Sequence, residues 1–213
     1  MFTGIIEETG TIKKIETQSS GKRFTITAKR ILEDLSVEDS ISVSGVCLTV
    51  IACNSDSFQV TAVPETLNNS ILGEIKSGTE VNLERAMSSN SRFGGHFVYG
   101  HVDDIGNIVS VINKGDNRII EIEVPENLKK YMIKKGSVAV DGISLTIADI
   151  SSNRIKISII PYTLKNTTII DTRKGDKVNI ETDIIGKYIE KLFNQQEYNM
   201  NGNSKLINFL QQT

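Results

Sequence analysis

The sequence predicts an all-β protein built from two closed Greek-key barrels in tandem, followed by a C-terminal α-helix. Three observations carry this prediction. Blocks of sequence recur at a constant spacing, and each copy is written in short apolar and β-branched runs bounded by Gly, Asn, Asp and Ser. The clearest helical stripe lies after the second copy.

The repeat is read from three separated blocks. ISVSGVCLTV (41–50) matches VAVDGISLTI (138–147), placing Gly45 over Gly142 at an offset of 97 residues (142 minus 45). At the same offset VTAVPETLNNS matches ISIIPYTLKNT and TEVNLE matches DKVNIE. The start of the chain has its own counterpart, TGIIEETGTI (3–12) over YGHVDDIGNI (99–108). The seam between copies therefore falls near residue 95, giving units at 1–95 and 96–183 and a tail at 184–213.

In the first unit the apolar runs predict strands near 5–17, 22–29, 40–53, 57–63 and 80–86. The first and third are long enough to bend or split. The second unit repeats the order near 101–112, 118–124, 137–150, 154–160 and 177–182. So many short antiparallel strands in so few residues are best accommodated by closure, which removes unpaired edges. Short helices are expected at ETLNNSILGEI and ENLKKYMI, next to strands. After Asp183, a natural N-cap, the residues Ile184, Ile185, Tyr188, Ile189, Leu192 and Phe193 fall on one helical stripe. That stripe must be buried either in a subunit contact or against the second barrel. A polar connector then leads to a short amphipathic KLINFLQQT.

Composition narrows the function. A formal charge of −2 with no basic cluster and no Trp argues against nucleic acid. No apolar run approaches a membrane span and no signal segment opens the chain, so a cytoplasmic protein without a membrane partner is expected. Cys47 and Cys53 lie six apart on one expected strand, about 20 Å at ordinary strand rise, which argues against a disulfide.

Both histidines lie in GHFVYGH, residues 95–101. His96 and His101 lack the further Asp, Glu or Cys ligands that a metal site needs, so no metal is expected. Flanking a cleft, a neutral imidazole could exchange a proton near pH 7; the plainer reading is a ring bonded to backbone at a turn. His101 is the stronger candidate because it lies inside the repeated block. Cys47 reads first as a small core thiol, yet its counterpart is Ser144, and each is followed by Leu-Thr. Thr49, Thr146 and the Pro-x-Thr-Leu turns place hydroxyls and free backbone groups at strand ends, suited to a planar heterocycle.

MFTGIIEETG, GVCLTV, DGISLTI, GGHFVYGHVD, the two P-x-T-L segments and VNIETD, in this order and spacing, resemble the riboflavin synthase family of the trimeric type with two lumazine-binding repeats. The resemblance runs to about residue 195. It implies six strands per barrel, no cofactor, a homotrimer joined by C-terminal helices, and association with lumazine synthase. It implies a dismutation in which two molecules of 6,7-dimethyl-8-ribityllumazine exchange a four-carbon unit. Each site is expected to join the first barrel of one subunit to the second barrel of its neighbour.

By position, the resemblance places first-barrel contacts at Gly4, Ile5 and Ile6, at Cys47, Leu48 and Thr49, and along Thr61, Ala62, Val63, Pro64, Glu65 and Thr66. In the second barrel they fall at Gly100, His101 and Val102, at Ser144, Leu145 and Thr146, and along Ser158, Ile159, Ile160, Pro161, Tyr162 and Thr163, with Lys135 approaching from outside. The expected catalytic groups are His101 and Ser144, which deprotonate the ring methyl of one lumazine, and Cys47 beside the other. Asp183 falls at a functional aspartate of the family. A non-catalytic lumazine- or flavin-binding protein of the same double barrel is the alternative, disfavoured because the second repeat keeps its motifs.

Overall fold

The computed structural model describes residues 1–193; the expected connector and the KLINFLQQT helix lie outside the described residues. Six strands form the first barrel: β1 (Glu8–Gln18), β2 (Gly21–Thr27), β3 (Ser40–Val43), β4 (Val46–Cys53), β5 (Ser57–Ala62) and β6 (Glu80–Arg85). They close in the order β1-β2-β5-β4-β3-β6. The second barrel comprises β7 (Asp104–Lys114), β8 (Asn117–Glu123), β9 (Ser137–Val140), β10 (Ile143–Ser151), β11 (Arg154–Ile159) and β12 (Lys177–Thr182), closed as β10-β11-β8-β7-β12-β9.

The long third run of each repeat splits at a two-residue turn, Ser44-Gly45 and Asp141-Gly142. Both residues of each turn have positive φ (44° and 82°, 47° and 78°), the combination that matches strand twist in a tight hairpin. The first run bends instead. Register slips between Ile12 and Lys14 in β1 and between Ile108 and Ser110 in β7, and again at Val50/Ala52 in β4 and Ile147/Asp149 in β10. An extra residue at the same point of each copy adds the curvature that closure requires. Phe24, Phe58, Ile12 and Ile26 fill the first barrel, and an aliphatic set including Ile120, Ile122 and Ile157 fills the second.

Short helices sit where each fifth strand leaves its barrel: α1 (Pro64–Asn68), followed by a 3-10 turn at Ile71–Gly73, and α2 (Pro161–Asn166). The second P-x-T-L is thus a helical turn, because proline's fixed φ suits the first helical position and its missing N–H is not needed there. ENLKKYMI forms a 3-10 helix, Glu126–Tyr131.

The barrels meet across an approximate two-fold axis. A Cβ on Gly45 would lie 2.6 Å from the Gly142 nitrogen, and one on Gly142 would lie 2.7 Å from the Gly45 nitrogen. Asn82 and Asn179, both buried, stitch the seam reciprocally. Asn82 Nδ2 donates to the Asp141 carbonyl (3.0 Å) and Asn179 Nδ2 to the Ser44 carbonyl (2.7 Å), while their Oδ1 atoms accept from the Thr168 and Ile71 amides.

The residues before β1 and β7 do not extend those strands. Residues 3–6 cross to the second barrel, where Ile6 packs on its core, and residues 99–102 cross to the first, where Val102 packs on its core. Phe2 and Val98 pair as an antiparallel bridge between the two crossings and cluster with Ala139 and Cys47.

A last helix, α3, covers 184–193. Asp183 caps it, Oδ1 accepting from the Ile185 amide at 3.0 Å. Its polar face docks on the second barrel through Lys187–Asp103 and Lys130–Glu190. The apolar stripe faces away: Ile185, Tyr188, Ile189, Leu192 and Phe193 are all exposed, so it does not pack against the second barrel of its own chain.

Candidate active site

The crossing segments determine which residues share a pocket. Gly100 reaches the first barrel at β4, where its carbonyl accepts from the Cys47 amide at 2.8 Å. Its φ is 75°, and a Cβ there would sit 2.6 Å from the Cys47 Cβ, so glycine is required twice over. The result is a cavity of about 250 Å³ lined by Cys47, Glu65, Thr66 and Asn69 from the first repeat and Gly100, His101 and Val102 from the second. The other half is built the same way. Gly4, with φ of 76°, offers its carbonyl to the Ser144 amide at 2.8 Å, and a Cβ there would meet Ser144 at 2.6 Å.

The expected grouping is therefore corrected. Gly4 lies with Ser144 in place of Cys47 and Ile6 packs on the second core, while Ile5 lines a separate cavity of about 580 Å³ with Glu7, Ser40, Glu84 and Arg85; Gly100, His101 and Val102 lie with Cys47 in place of Ser144. A repeat shows that two segments are alike; it does not show which barrel each one packs against.

His96 is the histidine beside Ser144. Its Nδ1 lies 2.7 Å from Ser144 Oγ, and its amide donates to the Thr3 carbonyl. Gly95 allows this, since a Cβ there would lie 2.0 Å from the Thr3 carbonyl oxygen. Burial pushes the pKa of His96 below the usual histidine value, with the Asp183 carboxylate pulling the other way. The ring is neutral at pH 7 and can take a proton. His101 is exposed, its ring 6.0 Å from that of Tyr99.

Cys47 is half-buried. Burial raises its thiol pKa, a hydrogen bond with Ser40 lowers it, and the nearby Glu181 raises it. A thiol held protonated is a poor nucleophile, so Cys47 contributes contact more than attack. Both Cys47 and Cys53 are free.

The remaining expected residues divide by strand alternation. Leu48, Ala62, Leu145 and Ile159 point into the barrel cores and can present only main chain. Thr49, Val63, Pro64, Glu65, Thr146, Ser158, Ile160, Pro161 and Tyr162 are exposed, with Thr61, Thr66 and Thr163 half-buried. Lys135 is exposed at the turn before β9, its amide bonded to the Ile147 carbonyl. Among the described residues, no group of three or more His, Cys, Asp or Glu could hold a metal, and no helix is long and apolar enough to cross a membrane.

Two buried carboxylates fix the crossings, and the sequence reading passed over both. Glu84 accepts from the Thr3 amide and hydroxyl (2.7 and 2.8 Å) and the Gly4 amide (3.0 Å). Glu181 accepts from the Tyr99 and Gly100 amides (2.7 and 2.9 Å). The signal was available, since a glutamate recurs in VNLE and VNIE at positions where an apolar strand has no need of one.

Two closed barrels that exchange their leading segments, one of which completes a polar pocket on the other barrel, define a tandem small-ligand-binding protein. The chain belongs to the lumazine binding domain family, whose model matches residues 3–86 and 99–183. It is 42% identical over 212 residues to a riboflavin synthase of Actinobacillus pleuropneumoniae, covering 100% of this chain and 99% of the relative. It is 43% identical over 199 residues to a riboflavin synthase of Bacillus subtilis (strain 168), covering 93% of each. The structure of LumP complexed with 6,7-dimethyl-8-(1'-D-ribityl) lumazine superposes with a TM-score of 0.78 at 26% identity, covering 85% of this chain and 99% of that one.

Proposed function

We propose that this protein is a riboflavin synthase. It takes two molecules of 6,7-dimethyl-8-ribityllumazine and moves a four-carbon unit from one to the other, yielding riboflavin and 5-amino-6-(ribitylamino)uracil. The observation that carries the reading is that one binding module occurs twice, intact in both copies, with different polar groups in each. A reaction between two identical molecules needs two like pockets and unlike chemistry within them.

The division of labour follows from the pockets. Ser144 Oγ, bonded to neutral His96, is the group placed to take a proton from the ring methyl of one lumazine. Cys47, Glu65, Thr66 and His101 surround the other lumazine, where addition to the ring occurs. Holding two reactants in attack geometry can supply up to about 7–11 kcal/mol of the barrier, so pocket geometry outweighs any one side chain.

Both half-sites are open in the single chain, with Ile5, Val63, Ile160 and Tyr162 between 49% and 74% exposed. A second copy closes them, the first half-site of one subunit facing the second half-site of its neighbour. The exposed α3 stripe supports assembly as a homotrimer.

Incubating the protein with the lumazine alone tests the proposal, with riboflavin appearing at half the molar amount of lumazine consumed. Tight binding of one lumazine per chain without riboflavin would replace the enzyme by a binding protein like LumP.

A further inference from the structure

The two crossings are latched alike but balanced differently. In the first repeat Glu84 holds the Thr3 and Gly4 amides, and beside it Glu7 is paired with Arg85 on β6, Nη2 to Oε2 at 2.6 Å. In the second, Glu181 holds the Tyr99 and Gly100 amides, and Asp103 stands in the place of Glu7, its Oδ2 accepting from the Thr182 amide (2.8 Å) and hydroxyl (2.7 Å). Thr182 occupies the place of Arg85 and carries no charge. The cation comes from outside the barrel: Lys187 Nζ, on α3, donates to Asp103 Oδ1.

We propose that Lys187 is a positioning residue for the Cys47–His101 half-site, acting through Asp103 and Glu181, so that docking of α3 sets the geometry of that half-site. The proposal rests on reading that half-site as a lumazine pocket.

Glu181 is buried, and burial raises its pKa to about 7 against the lowering effect of the Tyr99 and Gly100 amides; Asp103 adds to the rise and Lys187 opposes it. The charged or titratable groups that bear on this latch are Asp103 just before β7, Lys187 on α3 and Cys47 on β4. Without Lys187 only the Tyr99 and Gly100 amides oppose burial and the Asp103 charge, and Glu181 keeps its proton to higher pH. A protonated carboxyl is the weaker acceptor for two amide donors. Those amides immediately precede His101, and the Gly100 carbonyl holds the Cys47 amide, so slack in the latch reaches both side chains.

The experiment uses the full chain with Cys53→Ser, so that Cys47 is the only thiol, and compares Lys187→Met, Lys187→Arg and Asp103→Asn. Two quantities are read: Cys47 alkylation by iodoacetamide without ligand, and the acid limb of lumazine turnover. In Lys187→Met the acid limb should move up by about half to one pH unit and Cys47 alkylation at pH 7 should rise about threefold or more. Lys187→Arg should behave as the parent. Asp103→Asn should move the acid limb down, the opposite direction, which general loosening of the helix would not produce. Unchanged alkylation and acid limb in Lys187→Met, a shift in the same direction for Lys187→Met and Asp103→Asn, or an arginine variant matching the methionine variant would each overturn the proposal. Alkylation needs no substrate, so failure of the latch is distinguishable from failure of the lumazine reading, which appears as a parent chain without turnover.

Discussion

Replacing Asp141 with asparagine removes a charge from the seam between the barrels while keeping the side chain's shape. Asp141 opens the Asp-Gly turn at φ 47°, a left-handed conformation that asparagine also tolerates. Its Oδ1 accepts from the Asn179 amide at 2.7 Å, which an amide oxygen can also do. Burial lifts the carboxyl from 3.8 to about 7, and the Asn179 bond only partly opposes it. Because the folded pKa exceeds the unfolded one, the folded chain binds more protons between these values. Stability from this group is therefore fully present below 3.8 and is lost as pH rises to 7.

At roughly 1.4 kcal/mol per pH unit, going from pH 5 to pH 8 costs the parent up to about 3 kcal/mol through Asp141, and less to the extent that water in the neighbouring cleft hydrates the carboxylate. Asparagine escapes that loss but adds an NH2 group, which costs about 1–3 kcal/mol if left unpaired. Asp141 lines an open cleft with Thr168, Asp171 and Asp176, where water can serve the new donor. Asp141→Asn should therefore be more stable than the parent by about 1–3 kcal/mol at pH 8 and no more stable at pH 5. Urea unfolding at both pH values and one fixed protein concentration measures this, provided the slope m is unchanged. An equal difference at both pH values, or a loss at pH 8, would refute the assignment of a charged, poorly compensated carboxylate to the seam.

Other predictions follow from the crossings and the helix. Gly100→Ala, whose Cβ would lie 2.6 Å from that of Cys47, should destabilise the fold by about 2–4 kcal/mol, and equilibrium dialysis should show one lumazine site lost. Gly4→Ala should lose the Ser144 half-site instead. His96→Gln should lower kcat about tenfold to a hundredfold with KM nearly constant in steady-state kinetics, at the low end of acid–base effects because proximity carries most of the rate. Deleting 184–213 should reduce the oligomeric state in sedimentation velocity and suppress turnover while the far-ultraviolet circular dichroism of the barrels persists; a truncated chain that stays trimeric would take α3 out of the interface.

Much of the architecture could be read because it is written twice. Recurring blocks at one offset mark both barrels, and the runs 40–53 and 137–150, long enough to bend or split, do split, at Ser44-Gly45 and Asp141-Gly142. What could not be read is any relation between segments distant in sequence. Residues 5–7 look like the start of β1 because Ile5 and Ile6 are apolar and β-branched, but Gly4 turns the chain and Ile6 finds its apolar surroundings in the other barrel. The same blindness favoured His101 over His96. Membership in the repeated block marked His101, whereas the contact between His96 and Ser144 spans 48 residues and depends on Gly95 letting the chain close on Thr3.

The crossing also explains how two repeats of one fold give unlike pockets. Among the expected contact positions, three differ in kind between the copies: Ile5 against His101, Cys47 against Ser144, and Glu65 against Tyr162. Had each leading segment stayed with its own barrel, one pocket would hold Ile5, Cys47 and Glu65 and the other His101, Ser144 and Tyr162, each with mixed character. Because the segments exchange, His101 joins Cys47 and Glu65, and the segment before β1 reaches Ser144 through Gly4. One half-site thereby collects the titratable groups of both repeats. The other keeps the Ser144 hydroxyl and receives its imidazole from His96, just before the repeated block. Two molecules of one compound bound at these half-sites would meet different electrostatic surroundings. A substitution at residue 101 acts on the pocket of the opposite barrel, so the effect of His101→Ile on ligand affinity should couple to Cys47 and not to Ser144 in a double-mutant cycle.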